Sequence, residues 1–459
     1  MTVRTLDIGS LGADTLSKRL SVIVGLGKTG LACARYFARQ GIAFAVQDSN
    51  PSQASLAELQ AIDPRLVCSP LDAAALCVAA QVVLSPGVPL GTPEVQRAIM
   101  AGVKITGDIN IFLQLVDKPV IGITGSNGKS TVTTLVGDIL ANGGFAVGVG
   151  GNIGTPCLDL LDKGAEIYVL ELSSYQLEVV EMAACDIAVV LNLSPDHLDR
   201  YPSVSAYYCA KERVYKGAHI ALLNRQAPFE LHLDPGSRHV SFGDDAPRTS
   251  ESYGLRTEGA QLFLARGASN LLAVDKLRLK GRHNAMNALV ALAIGELLGV
   301  DLDVVLSTLQ TFPGLPHRSE LVGTFGGVEF INDSKATNPG ATRAAIEGLA
   351  EAGRPMVLIL GGVGKGADFQ QLRDVILQHV TRVYLYGADA AAIGRAIDGC
   401  VGVTRMDTLD AVITSLALEL QDLPGAMVLF APACASFDQY QNFEHRGREF
   451  KRLVLEAFT

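Results

Sequence analysis

Residues 120–138, VIGITGSNGKSTVTTLVGD, constrain this chain more than any other stretch. The β-branched run Val120-Ile121-Gly122-Ile123 leads into Gly125-Ser126-Asn127-Gly128-Lys129-Ser130-Thr131, and a helical pattern follows. A buried strand must therefore turn through a glycine loop into a helix, which is the context a phosphate loop needs. Glycines let backbone N–H groups wrap phosphates, the helix N-terminus adds its positive end, and Lys129 neutralises charge. Ser130 or Thr131 can then hold Mg²⁺. The spacing is the shorter G-x-x-G-K-S-T form, because the first glycine of G-x-x-x-x-G-K-[ST] would fall on Ile123. An ordinary glycine turn with a chance lysine explains strand, loop and helix together poorly, so ATP-type chemistry is expected.

Short β-branched runs alternate with helical patterns elsewhere too, which predicts an α/β chain with mainly parallel sheets. At 459 residues about three domains are expected. Strands are expected at Val22 to Val24, Ala43 to Gln47, Val82 to Leu84 and Val103 to Ile105, then from Val120, Ile167 and Ile187. The polar stretch from Arg225 to Gly267 predicts loops and short antiparallel strands, and a helix is expected from about His283 to Leu298. The turn Phe312-Pro313-Gly314-Leu315-Pro316 reads as a linker. Boundaries near 108 and 313 divide the chain into 1–107, 108–312 and 313–459. Only 19% of residues are charged and the net charge is −9, which disfavours nucleic-acid binding through bulk charge. The eight cysteines never form C-x-x-C, as expected for free thiols in a reducing compartment. Asp7 and Asp14 interrupt the stretch where a signal peptide needs an apolar core, and Ala288 to Val300 is too short to span a bilayer. A cytoplasmic chain is expected.

Several strand ends carry candidate chemistry. Gly25-Leu26-Gly27-Lys28-Thr29-Gly30 follows a strand, and Asp48 ends the next, a pattern that resembles the dinucleotide fingerprint. Alone it reads equally well as a structural turn. Glu171 ends a strand before Leu172-Ser173-Ser174-Tyr175-Gln176 and could reach a phosphate-bound Mg²⁺. His197 follows the next strand, with ligand and structural roles evenly balanced. Lys211 lies in a helical stretch, where pattern alone favours a solvated lysine. Asn284 and Asn287 share a helix face, with capping slightly preferred over amide recognition. In the last third, Arg318 follows the linker, and Asp333 and Lys335 end a strand. Gly361-Gly362-Val363-Gly364-Lys365-Gly366 lacks Ser or Thr after its lysine, so a carboxylate grip by Lys365 fits better than a second nucleotide site.

With these residues in hand the chain resembles the bacterial Mur ligases. The resemblance covers nearly all of it, through GITGSNGKSTVTTLVGD, GVGGNIGTP, YVLELSSYQLE, DHLDRYP, GLPHR, NDSKATN and APACASFDQYQNFEHRG in fixed order. It implies an N-terminal Rossmann-like domain for a UDP group, a central P-loop ATPase and a C-terminal Rossmann-like domain for an incoming amino acid. The implied reaction is ATP-driven amide formation through an acyl phosphate, joining D-glutamate to UDP-N-acetylmuramoyl-L-alanine in peptidoglycan precursor synthesis.

By the same resemblance, Gly125 to Thr131 bind ATP together with Asn284, Arg318, Asp333 and Lys335. Ser130, Glu171, His197 and Lys211 are implied as ligands of two Mg²⁺ ions, Lys211 after carbamylation. Lys129, Glu171, His197 and Lys211 are the implied catalytic set. Lys28, Thr29, Asp48 and Ser85 match uridine-site positions. Asn152 and His197 match the substrate centre, and Thr337, Lys365, Ser436 and Phe443 match the amino-acid pocket. The chain departs from the familiar pattern at Ser49-Asn50, Ser319 and Phe437. A monomer without membrane insertion or nucleic-acid partner is expected. An L-glutamate-specific variant is the nearest alternative. A nicotinamide-dependent oxidoreductase built on residues 25–30 would leave the phosphate loop, Glu171 and His197 without work.

Overall fold

Val22-Ile23-Val24 and Val82-Val83-Leu84 become adjacent parallel strands in a computed structural model that describes residues 20–197, 200–227, 232–279, 281–350, 353–419 and 424–458. Asp7 and Asp14, with Leu198 and Asp199 of DHLDRYP, lie outside the described residues. The first sheet holds β1 (Ser21–Val24), β2 (Phe44–Gln47), β3 (Cys68–Ser69), β4 (Gln81–Leu84) and β5 (Lys104–Thr106). Its order is β3-β2-β1-β4-β5, all parallel. Strand order reverses beside β1, so the loops leaving β1 and β4 face each other at a place where such sheets take ligands.

A second parallel array contains β6 (Val120–Thr124), β7 (Val147–Gly151), β8 (Ile167–Glu171), β9 (Ile187–Val190), β10 (Ile220–Asn224) and β11 (Arg238–Gly243). Here the order is β11-β10-β9-β6-β8-β7. Every residue of β6, β8 and β9 is buried, as expected for strands covered on both faces. Within the polar stretch, β11 pairs parallel with β10, while β12 (Ser252–Glu258), β13 (Gln261–Arg266) and β14 (Ser269–Ala273) form the expected antiparallel set. The helix expected near His283 spans Arg282–Leu297.

The third sheet contains β15 (Glu320–Phe325), β16 (Val328–Asn332), β17 (Met356–Gly361), β18 (Arg382–Tyr386), β19 (Gly402–Arg405) and β20 (Met427–Phe430), ordered β15-β16-β20-β17-β18-β19. Only the β15–β16 pair is antiparallel. Alternate residues of its strands feed two separate cores. Leu358, Leu360, Val383 and Leu385 lie in one, while Val357, Ile359, Tyr384 and Tyr386 lie in the other.

Contacts group the chain into two compact units. The first holds residues up to Phe242 with Ala293–Val305, and the second Gly243–Leu292 with Leu306 onward. Within the first unit one apolar cluster runs from Ile23 and Phe37 through Phe112 to Leu170 and Ala221. Arg35 adds a polar tie, since its guanidinium donates to both Asp159 oxygens at 3.2 and 2.5 Å. Among the described residues no helix is long and apolar enough to cross a membrane.

Candidate active site

The phosphate loop leaves β6 as its sequence predicts. Gly125 has φ 149, and a Cβ there would sit 3.0 Å from the Leu191 Cβ; Gly128 has φ 82 and caps the helix Lys129–Asn142. Both positions need glycine because an L side chain strains the backbone there. Lys129 Nζ donates to the Gly125 and Ser126 carbonyls at 2.9 and 3.0 Å. Ser130 and Thr131 are buried in the first helical turn.

Residues remote in sequence hold this loop. Asn192, just beyond β9, accepts from the Asn127 N–H at 2.8 Å and donates to the Asn127 carbonyl at 2.9 Å. Ser126 Oγ donates to the Ser194 carbonyl at 3.0 Å and lies 3.1 Å from the Tyr207 hydroxyl. Lys211, on the helix Val204–Glu212, donates to the Gly125 carbonyl at 2.8 Å. It is almost fully buried, so the solvated-lysine reading of its pattern is corrected. Burial, and secondarily the neighbouring Lys129 charge, lowers its pKa well below that of an ordinary lysine.

Glu171 ends β8 beside β6, buried. Its Oε1 accepts from Asn152 Nδ2 at 2.6 Å, and its Oε2 has no hydrogen-bond partner among the described residues. The parallel register opposes Gly151 to Glu171, and that pairing brings Asn152 to this carboxylate. His197 has φ 56; its ring lies 5.0 Å from Tyr175 and 6.0 Å from Tyr207. No group of three or more His, Cys, Asp or Glu able to hold a metal occurs among the described residues.

A cavity of about 470 Å³ joins this strand end to the first sheet. Gly25, Gly27, Lys28, Thr29, Asp48 and Ser85 line one end, and Gly151, Asn152, Gly154 and Gln176 the other. The four expected uridine-site residues therefore share one cavity with Asn152. A Cβ at Gly30 would stand 1.9 Å from the Gly25 carbonyl oxygen, whereas at Gly27 it would meet nothing within 4 Å. Gly30 therefore permits close helix–strand packing, and Gly27 leaves space for a ligand. The Asp48 carboxylate accepts from the Leu26 and Asn50 N–H groups at 2.6 and 2.7 Å, so it shapes the loop. Gln176, a wall residue the sequence reading passed over, is fixed by a capping box with Ser173 and lies 3.4 Å from the buried Asp108 carboxyl. Burial raises the Asp108 pKa.

In the second unit, Asn287 Nδ2 donates to Asn284 Oδ1 at 3.2 Å. Both are buried inside the helix Arg282–Leu297, so neither serves as its N-cap. Asp333 leaves β16; burial raises its pKa to about 6, against a lowering by the Ser319 N–H and the Arg318 charge. Lys335 Nζ lies 4.1 Å from the Phe443 ring centre, and Lys365 Nζ lies 5.4 Å from that of Phe437. Lys365 has φ 52, Thr337 N donates to the Lys335 carbonyl at 2.8 Å, and Ser436 is buried.

Arg446 ties the three loops that carry these residues, a role its motif did not disclose. It is fully buried and donates to Ser334 Oγ at 3.0 Å, the Ser334 carbonyl at 2.7 Å and the Cys434 carbonyl at 2.9 Å, with Gly361 O at 3.5 Å. A cation held by carbonyls and a hydroxyl fixes strand ends that would otherwise leave acceptors unmet.

Three family models match the chain: the N-terminal domain of MurD-like Mur ligases over residues 19–107, the Mur ligase middle domain over 123–295, and the Mur ligase glutamate ligase domain over 317–434. The UDP-N-acetylmuramoylalanine–D-glutamate ligase of Pseudomonas fluorescens (strain Pf0-1) is 45% identical over 442 residues, covering 95% of this chain and 98% of that protein. The enzyme of the same name from Saccharophagus degradans is 46% identical over 446 residues, 95% of this chain and 97% of that one. Among solved structures, a pseudomurein peptide ligase type C from Methanothermus fervidus shares the fold with a TM-score of 0.61 at 17% identity, covering 96% of this chain and 100% of that one. The UDP-N-acetylmuramate–alanine ligase of Thermotoga maritima gives 0.59 at 20% identity, with 96% and 99% covered.

Proposed function

Because the chain belongs to the Mur ligase family, we propose that it joins D-glutamate to UDP-N-acetylmuramoyl-L-alanine at the expense of ATP. The observation that carries this reading is the single cavity linking the Gly25–Gly30 loop to Asn152, beside the Glu171 strand end and the phosphate loop. Such a cavity suits an elongated substrate, nucleotide at one end and reacting carboxylate at the other. Residues 1–107 would take the UDP group through Lys28, Thr29, Asp48 and Ser85, 108–312 would take ATP, and 313–459 the amino acid.

The alanyl carboxylate attacks the γ-phosphorus of ATP, giving an acyl phosphate and ADP. The glutamate amine then attacks the acyl carbon, and the C–O bond breaks to release phosphate. Positioning and charge neutralisation do most of the work. Lys129, with the N–H groups of Gly125 to Thr131, holds the transferring phosphate, and Asn284, Arg318, Asp333 and Lys335 complete the nucleotide contacts. Asn152 orients the reacting carboxylate, and Lys365 grips a glutamate carboxylate, with Thr337, Ser436 and Phe443 beside it.

The orphaned, buried Glu171 Oε2 fits a cation such as Mg²⁺, which is held by few carboxylates together with substrate phosphates. We assign two such ions to Ser130, Glu171, His197 and carbamylated Lys211. Bound there, they neutralise phosphate charge. The lowered pKa of Lys211 favours its neutral amine, the form that adds CO₂ and loses a proton to become a carbamate.

Isotope transfer tests the order of bonds. With both alanyl carboxylate oxygens labelled ¹⁸O, one label is expected in the released phosphate and one in the amide. Phosphate free of label would overturn the acyl-phosphate route.

A further inference from the structure

We infer that Arg200 is a positioning residue that ties the wall of the uridyl end of the cavity to Tyr175 and the His197 ring packed on it, so that binding energy at the uridyl end orders His197. This rests on the ligase reading above. Arg200 Nη1 donates to the Pro86 carbonyl at 2.5 Å and Nη2 to the Val88 carbonyl at 3.3 Å. Ser85 to Val88 form a wall of the cavity, and Ser85 Oγ bonds the Gly25 carbonyl at 2.7 Å. On its other side Nη2 donates to Glu178 Oε2 at 3.2 Å, and the guanidinium carbon lies 3.9 Å from the Tyr175 ring centre. Tyr175 packs on the His197 ring, and the Arg200 N–H donates to the His197 carbonyl at 3.0 Å.

The side chain earns this assignment by its position and chemistry. Its exposure is 11%, and that of Glu178 is 12%, so the pair is largely withdrawn from water. Burying an ion pair is a poor way to gain stability, since desolvation offsets the attraction. What a planar, five-donor guanidinium supplies is simultaneous reach to two carbonyls, a carboxylate and an aromatic face, which a lysine ammonium cannot match. The loop 85–88 and His197 are thereby coupled through one rigid group. Contacts made by a remote, unreacting part of a substrate can then be spent on ordering the reacting end.

The test compares UDP-N-acetylmuramoyl-L-alanine with N-acetylmuramoyl-L-alanine 1-phosphate, which lacks the uridine monophosphate half. In the intact enzyme the full substrate should have much the larger kcat/KM. In Arg200→Lys that advantage is expected to fall about ten-fold, because the uridyl contacts no longer order the far end. A merely structural arginine would lower both substrates alike, and an unchanged ratio would overturn the inference. Should Arg200→Lys fail to fold, Glu178→Gln loosens the same guanidinium and is expected to lower the ratio about three-fold; an unchanged ratio there overturns it equally. An unsubstituted enzyme that turns over neither compound would instead sink the ligase reading itself.

Discussion

Replacing Lys129 by alanine is expected to cut phosphate release by about 10³-fold or more while leaving the protein folded. The ammonium holds two carbonyls of its own loop, Gly125 and Ser126, so it already stands over the turn that would cradle phosphate. In the ligase reading those bonds give way to phosphate oxygens, and the charge is needed most as the phosphoryl group moves. The fold should survive because Gly125, Gly128 and the Asn127–Asn192 exchange shape the loop without it. Lys129→Arg should fare little better, since a broad planar fork does not replace a compact point charge. Circular dichroism and steady-state phosphate release check both halves. Near-normal turnover in folded Lys129→Ala would remove the phosphate loop from the mechanism.

Lys211→Met is expected to separate stability from activity. Its amine is buried and donates to the Gly125 carbonyl, and burial opposes its charged form. A lysine whose pKa is lowered on folding takes up fewer protons than the unfolded chain between the two pKa values, so its contribution to stability falls as pH drops from the ordinary lysine range toward the lowered value and stays low below it. Methionine of similar length carries no such penalty, and the unfolding temperature should hold or rise at acidic pH. Turnover should fall on the order of 10²-fold, because no carbamate can form. Depleting CO₂ should slow the unsubstituted enzyme, with bicarbonate restoring it, and Lys211→Met should respond to neither. Wild-type rates in the variant would sink the carbamate role.

Local features were legible and long-range ones were not. The phosphate loop could be read because strand, glycines, lysine and helix are contiguous from Val120 to Asn142. The helix Arg282–Leu297 and the strands near 22, 82 and 187 followed from periodicity for the same reason. Lys211 looked like a surface residue because its partner, Gly125, lies 86 positions away. The Asn152–Glu171 bond depends on β7 and β8 being neighbours, which strand order in the sequence does not reveal. Asp48 matches the dinucleotide fingerprint by its spacing, but spacing does not disclose that its carboxylate accepts the backbone N–H groups of Leu26 and Asn50. Arg200 and Arg446 lie inside DHLDRYP and APACASFDQYQNFEHRG, yet several of their partners are carbonyls, which carry no residue signature.

The central claim is that one chain consumes ATP to join glutamate to a UDP-muramoyl substrate. Phosphate release measured with UDP-N-acetylmuramoyl-L-alanine, Mg-ATP and each of D-glutamate, L-glutamate and other amino acids tests it most directly. The expected result is release that requires all three components and is fastest by far with D-glutamate, with ADP formed in equal amount. Preference for L-glutamate would correct the stereochemistry alone, whereas release indifferent to the amino acid, or none at all, would contradict the account.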